Sequence, residues 1–363
     1  MINLLSKFKN QRVLITGHTG FKGSWLTLWL THLGAHVVGI SKDIPTSPSN
    51  FLANHLKKKI NHHILDIRDK QKLEKIIKRY KPDYIFHLAA QSLVKKSYIK
   101  PMHTFETNSL GTLNLLEILR DYNNRKICSI VIITSDKSYR NLELDRGYKE
   151  TDIIGGYDPY SASKACAELM IQSYLKSFLL DKKNLRISVA RAGNVIGGGD
   201  WSEDRLIPDC IKSVLNKKKL IVRFPNSTRP WQHVLEVLYG YMCLALKQKK
   251  EKKINGNAFN FGPNNKSSIT VLDLIKKMKK KWKIINWKIT RLKKGEYESK
   301  LLKLNSSKIY KFIKWKCFLS TDQTLDMVIN WYKIYLNNKK MNMYDYSVNQ
   351  IKDFEKIIKK KNR

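Results

Sequence analysis

Cysteine is scarce in this chain: there are five in 363 residues, at 128, 166, 210, 243 and 317, widely spaced and set in apolar or helical surroundings. Thiols of that kind read as buried in a reducing, cytoplasmic compartment. Their spacing excludes a disulfide framework or a cysteine metal site, and no metal is expected. Long apolar runs are missing as well, since none approaches the roughly 20 residues of a membrane span, so no membrane partner is expected. Met1 to Asn10 leads straight into a strand pattern, which argues against a signal peptide. Internal repeats are absent, as are helix-turn-helix, zinc and RNA-binding signatures. Acidic residues are few, 30 against 69 Lys plus Arg, which leaves a formal charge of +39. Such a charge invites a nucleic-acid reading through counterion release. The lysines, however, are spread along the whole length, in runs such as 57–59, 217–219, 279–281 and 359–361, with few interleaved aromatics. A solvated lysine-rich surface explains them better. No nucleic-acid partner is expected, and the field can draw in an anionic substrate.

What is present begins with glycine. Residues 12–16 form a short apolar strand pattern, Gly17, Gly20 and Gly23 follow at three-residue spacing, and a helical pattern runs over 24–33. Strand, glycine turn and helix in that order make a phosphate-binding device, because backbone can approach a pyrophosphate and the helix start offers free N–H groups. A second strand, 36–40, leads to Asp43, twenty positions past the last glycine, where an acid suits an adenosine ribose and favours NAD over NADP. Lys42 beside it weakens that preference, since a cation tolerates a 2'-phosphate.

The first 190 residues alternate strands at 12–16, 36–40, 62–65, 84–88, 129–134 and 186–191 with helices at 24–33, 71–80, 103–122 and 159–180. Alternation of this kind predicts an α/β fold, a doubly wound parallel Rossmann sheet with ligands at the carboxyl ends of the strands. Polar clusters stand at three of those ends: Ala89, Ala90 and Gln91; then Thr134, Ser135, Asp136 and Lys137; then Arg191, Ala192, Gly193 and Asn194. Tyr160 and Lys164 lie four apart on one helical face. An ammonium beside a phenol favours the phenolate, which would make a base able to oxidise an alcohol. The plain alternative is an amphipathic helix with an incidental Tyr and Lys.

Seven blocks, in order, carry a resemblance. They are Gly17-His-Thr-Gly-Phe-Lys-Gly23, His87-Leu-Ala-Ala-Gln91, Ser135-Asp-Lys137, Gly155-Gly-Tyr-Asp-Pro-Tyr160, Arg191-Ala-Gly-Asn-Val-Ile-Gly-Gly-Gly-Asp-Trp201, Asp204-Arg-Leu-Ile-Pro-Asp209 and Arg229-Pro-Trp-Gln-His-Val-Leu-Glu236. The chain resembles the extended short-chain dehydrogenase/reductases, more narrowly their nucleotide-sugar dehydratases, and within these the CDP-glucose 4,6-dehydratase branch. The match runs from residue 13 to about 262 and continues more weakly to about 335.

The resemblance implies an enzyme that oxidises a bound nucleotide sugar, CDP-glucose in this branch, at carbon 4, removes water across carbons 5 and 6, and returns the hydride to carbon 6. It implies NAD held by Gly17, Thr19, Gly20, Phe21, Lys22, Gly23, Asp43, Asp66, Ile67, Ala89, Ala90, Gln91, Asn108, Tyr160, Lys164 and Arg191. Tyr160 with Lys164 takes the proton from the carbon-4 hydroxyl, Ser135 positions that oxygen, and Asp136 is the acid for oxygen 6. Lys137 departs from the wider pattern, in which relatives acting on dTDP-glucose carry Asp-Glu here. The lysine is a carbon-5 base if its pKa is depressed and an electrostatic stabiliser of the enolate otherwise. Substrate contacts are implied for Gln91, Ser135, Asn194, Arg205, Arg223, Arg229, Trp231 and His233. Near Glu298 the match fades: Ser299, Lys300 and Asn305 differ from the family's usual residues.

The domains expected are a NAD-binding domain over 1–192, a smaller α/β substrate lobe over 193–340 with some segments returning to the first, and a lysine-rich tail over 341–363 that packs on the surface or hangs free. The helices at 103–122 and 159–180 carry apolar residues on more than one face. That fits the superfamily's homodimer, built on such a helix pair.

Overall fold

The computed structural model describes residues 2–263, 269–290, 301–338 and 340–361. Six strands arise early in the chain: β1 (Arg12–Thr16), β2 (His36–Ser41), β3 (Asn61–Ile64), β4 (Tyr84–His87), β5 (Cys128–Ile133) and β6 (Leu185–Ala192). A seventh, Ala258–Phe261, joins them in a parallel sheet of order Ala258–Phe261, β6, β5, β4, β1, β2, β3. The order reverses between β1 and β4, so the loops leaving those strands part there and open a crevice.

Two apolar layers explain why the central strands read as unbroken hydrophobic runs. Val13, Ile15, Phe86, Val131 and Ile133 face one layer, with Trp25, Trp29 and Tyr241. Leu14, Ile85, Ile130 and Ile132 face the other, with Leu115, Ile171 and Leu175. Strands buried on both faces have no polar side to alternate.

The seventh strand lies beyond the region where strands were expected, and it follows the buried helix Val234–Lys250 back onto the sheet. In that helix the Ala245 carbonyl accepts from Ser129 Oγ on β5 at 2.7 Å. Residues 234–261 therefore belong structurally with the first domain. Within 193–340, short strands pair outside the main sheet, Leu220–Val222 with Trp287–Ile289 and Thr228–Arg229 with Ile269–Thr270, beside helices Leu206–Leu215 and Val271–Lys281. The tail does not hang free: helix Met343–Lys361 buries Val348, Ile351, Phe354 and Ile358, and Trp29 Nε1 donates to Glu355 Oε1 at 3.0 Å.

Candidate active site

The glycine turn is closed by packing. Gly17 has φ +76°, and a Cβ there would lie 2.7 Å from the Ala89 nitrogen; one on Gly23 would lie 2.0 Å from the Gly17 carbonyl oxygen. Only glycine allows both the left-handed backbone and that approach. Helix Phe21–His32 starts at Gly20 with no side-chain cap, so its first-turn N–H groups point at the crevice unclaimed by a side chain. Thr19 ties the turn to the end of β2, donating from Oγ1 to the Asp43 carbonyl at 2.6 Å. Asp43 itself is more than half exposed, with the Lys42 ammonium 4.0 Å from its carboxylate. Asp66 is partly buried, which would raise its pKa, but the Arg68 guanidinium at 2.9 Å outweighs burial and holds the carboxyl below its usual range.

His18, which the sequence reading passed over, sits buried inside the turn. Its ring meets Ser41 Oγ at 3.0 Å and His62 Nδ1 at 2.7 Å, so it links the turn to β2 and β3. Burial lowers its pKa to about 4 and keeps the ring neutral. A His next to an obligate glycine was the available signal.

The catalytic candidates gather at the ends of β4 and β5. Ser135 caps the short turn Asp136–Ser138: its Oγ accepts from the Lys137 nitrogen at 3.2 Å and donates to Asp136 Oδ1 at 2.9 Å. Asp136 is buried against Gly193, where a Cβ would lie 2.7 Å from its Oδ2. Burial raises its pKa, with the Lys137 charge and the Ser135 bond pulling the other way. Tyr160 is the second residue of helix Pro159–Tyr174, which Asp158 caps by accepting from the Ser161 nitrogen at 3.0 Å. The Tyr160 nitrogen is held by Ser97 Oγ at 3.1 Å.

Tyr160 and Lys164 are both buried and both line the crevice, but their titration departs from the expectation. Burial pushes the phenol up to about 12, Ser135 pulls it down, and Lys164 is not among the leading influences. The ammonium is itself lowered to about 8, by burial first and then by the like charge of Lys22, with Glu168 opposing.

A cavity of about 1390 Å³ runs along these strand ends, lined by Gly17, Thr19 to Gly23, Asp43, Asp66, Ile67, Ala89 to Gln91, Tyr160, Lys164 and Arg205 among others. It exceeds the roughly 300–1,000 Å³ of a site for one small ligand, which suits a cofactor and a substrate together. Thr134 lines it, whereas Ser135, Asp136 and Lys137, the next three residues in the chain, are not among the lining residues.

Several expected contacts lie elsewhere. Arg191 is fully buried in a two-pronged pair with Glu168, at 2.8 and 2.9 Å, and also donates to the Tyr139 hydroxyl at 2.7 Å. Its fork is committed to holding β6 to the tyrosine helix rather than to a cofactor. Glu168, four residues past Lys164 on the same face, was readable from helical spacing. His233 caps helix Val234–Lys250, accepting on Nδ1 from the Leu235 nitrogen at 3.3 Å, and burial lowers its pKa to about 3. It is packed in the core, away from the cavity lining. Asn108 is a buried clamp: Oδ1 accepts from the Gln91 nitrogen at 2.8 Å and Nδ2 donates to Ser163 Oγ at 2.9 Å. The Gln91 amide lines the crevice but bonds Leu93 and Thr104.

On the substrate side, Arg205 donates to Asp200 Oδ2 at 3.0 Å and to Ser92 Oγ at 3.1 Å, and Arg223 lies 4.0 Å from Asp204. Arg229 is buried and donates to the Thr228 carbonyl at 2.9 Å. Trp231 is half-buried, and Asn194 accepts from the Gln232 nitrogen at 3.1 Å through its carbonyl. Glu298, Ser299 and Lys300 lie outside the described residues. Asn305 bonds the Tyr148 carbonyl at 2.8 Å.

The model of the GDP-mannose 4,6 dehydratase family matches residues 14–328. The chain belongs to that family. It is 43% identical to the CDP-glucose 4,6-dehydratase of Salmonella typhimurium over 342 residues, 92% of this chain and 94% of the relative. Among solved structures it is similar to the epimerase Mth375 of Methanothermobacter thermautotrophicus, with TM-score 0.79 and 22% identity over 93% of this chain and 97% of that one. The dTDP-glucose 4,6-dehydratase of Bacillus anthracis, solved in complex with NAD, aligns with TM-score 0.74 and 22% identity over 92% and 99% of the two chains. For this family member the structural likenesses show the Rossmann fold. Among its described residues no helix is long and apolar enough to cross a membrane.

Proposed function

We propose that the chain is an NAD-dependent CDP-glucose 4,6-dehydratase that forms CDP-4-keto-6-deoxyglucose and water, in a cytoplasmic route to deoxysugars of a surface polysaccharide. What supports this reading is Ser135 and Asp136 within reach of the Tyr160 phenol, at the strand ends of a chain 43% identical to the Salmonella enzyme.

The residues present fit NAD. A Cβ on Gly17 or Gly23 would fill the cradle beside the uncapped helix start, and Asp43 and Asp66 line the far end of the same cavity where an adenosine ribose belongs. Bound there, NAD supplies the acceptor of the carbon-4 hydride and its donor to carbon 6. Tyr160 takes the carbon-4 hydroxyl proton, helped by the pull of Ser135 and Arg205 against burial. The ketone so formed acidifies carbon 5. Asp136, whose pKa burial raises, gives its proton to the departing carbon-6 hydroxyl. Lys137 serves carbon 5, either taking its proton or holding the enolate charge. An epimerase on another nucleotide sugar has no use for a buried acid beside Ser135, which favours the dehydratase.

A homodimer completes the proposal. Ser109 Oγ donates to the Ser163 carbonyl at 3.0 Å and Tyr174 donates to Glu117 at 2.6 Å, which sets the two helical segments side by side and parallel. Leu110, Leu169 and Phe178 on this pair are exposed apolar residues that a second copy would cover.

Purified protein incubated with CDP-, dTDP-, GDP- and UDP-glucose tests the reading through the alkali-induced absorbance of a 4-keto-6-deoxy sugar. Signal is expected with CDP-glucose. Turnover of dTDP-glucose with none of CDP-glucose would overturn the nucleotide assignment.

A further inference from the structure

Two bonds join the walls of the crevice at its mouth, between segments far apart in the chain, and the chemistry above uses neither. Lys95, on helix Val94–Ile99 beyond β4, donates to Asp204 Oδ1 at 2.7 Å; beside it Arg205 donates to Ser92 Oγ at 3.1 Å. All four residues line the cavity. Arg223, just past strand Leu220–Val222, lies 4.0 Å from the same Asp204 oxygen. One carboxylate oxygen therefore faces two cations. Asp204 also holds φ +56°, a left-handed backbone that glycine, asparagine and aspartate tolerate best. Behind it Asp209 lies within electrostatic reach of Lys95 and Arg223.

We infer that Asp204 is an internal stand-in for the substrate's diphosphate, holding Lys95 and Arg223 across the crevice mouth until phosphate oxygens replace its carboxylate. The inference rests on the nucleotide-sugar reading and adds two residues to it, Lys95 as a phosphate contact and Asp204 as its competitor. Lys95 and Asp204 are both partly exposed, at 59% and 35% of their side chains, so the pair is weak enough to exchange for a doubly charged ligand. A competitor built into the site lowers apparent affinity by the fraction of molecules in which it occupies the cations. It also keeps singly charged anions from settling there, so the mouth selects for a diphosphate.

Calorimetric titration of the full chain with CDP tests this. Asp204→Asn is expected to tighten CDP binding about two- to fivefold, the worth of a partly exposed ion pair. Lys95→Gln is expected to weaken it, and in the double variant the gain from Asp204→Asn disappears. Asp204→Gly, which suits the left-handed backbone, carries the test if the asparagine variant fails to fold. Unchanged or weaker CDP binding in natively folded Asp204 variants overturns the inference and makes the pair an ordinary strap. A wild-type protein that takes UDP in place of CDP overturns the nucleotide assignment instead, and the same comparison run with UDP decides the inference. Wild-type protein that binds no nucleoside diphosphate removes both.

Discussion

Burial acts on Tyr160 and Asp136 in the same direction, raising both, and only one of the two benefits. An acid that must keep its proton until water leaves gains from a raised pKa, whereas a phenol that must give one up is hindered. Asp136→Asn is expected to leave oxidation at carbon 4 nearly intact and to slow product formation about 10²- to 10⁴-fold. Tyr160→Phe should abolish both. Rapid-quench detection of the 4-keto sugar with and without loss of water separates the two, and equal loss of oxidation in both variants would refute the division of labour. The sign of the stability effect is also fixed. Between 3.8 and its raised value the native Asp136 binds more proton than the unfolded one, so its contribution is complete below 3.8 and is lost as pH rises through the native value. Asp136→Asn should therefore melt higher than wild type at neutral pH, with the gap closing in acid; a lower melting temperature at neutral pH would contradict it. Ser135, Asp136, Tyr160 and Lys164 were legible as residues because motif spacing places them. The balance of forces on Tyr160 was not, since burial is set by the whole pocket.

Helix Pro159–Tyr174 is the element on which the site turns, and its start is where it can be loosened. Asp158 accepts from the Ser161 nitrogen at 3.0 Å and Pro159 fills the first helical position, so the turn carrying Tyr160 is fixed before the helix packs. Asp158→Ala is expected to cost about 1 kcal/mol in urea unfolding. It should lower kcat more than it raises KM, because it moves the base and leaves the nucleotide contacts alone. A purely structural cap would shift the urea midpoint and spare kcat. At this scale the sequence read well where periodicity is strong, and strand 12–16 and helix 71–80 agree with the structure to within a residue. The stretch expected as one helix over 103–122 is one unbroken helical run, Pro101–Asp121, with a wide turn at Glu106–Leu110 inside it. The wide turn carries Asn108 to Gln91 and Ser163, and hydrophobic periodicity holds no trace of such a local widening. Strand Ala258–Phe261 escaped for a related reason: four residues after a buried helix look alike in a strand, a loop or a helix end.

For the whole molecule, the tyrosine helix has two faces with different tasks. One buries Tyr160, Lys164 and Glu168 against the strand ends, and the other exposes Leu169, with Leu110 and Phe178 nearby on the neighbouring segments. Covering that face would stabilise the helix that holds the base, so assembly and activity should be linked. Sedimentation is expected to give twice the chain mass for the wild type and a shift toward monomer for Leu169→Glu, because a buried unpaired carboxylate at a two-fold face meets its own copy. Specific activity should then fall on dilution at higher protein concentration in the variant than in the wild type. A wild type that sediments as a monomer at full activity would show that the exposed leucines and phenylalanine serve no partner copy. The +39 charge makes ionic strength the natural control, since like-charged copies repel more at low salt. Dimerisation held by the apolar face should therefore strengthen as salt is added, whereas an interface held by ion pairs would weaken.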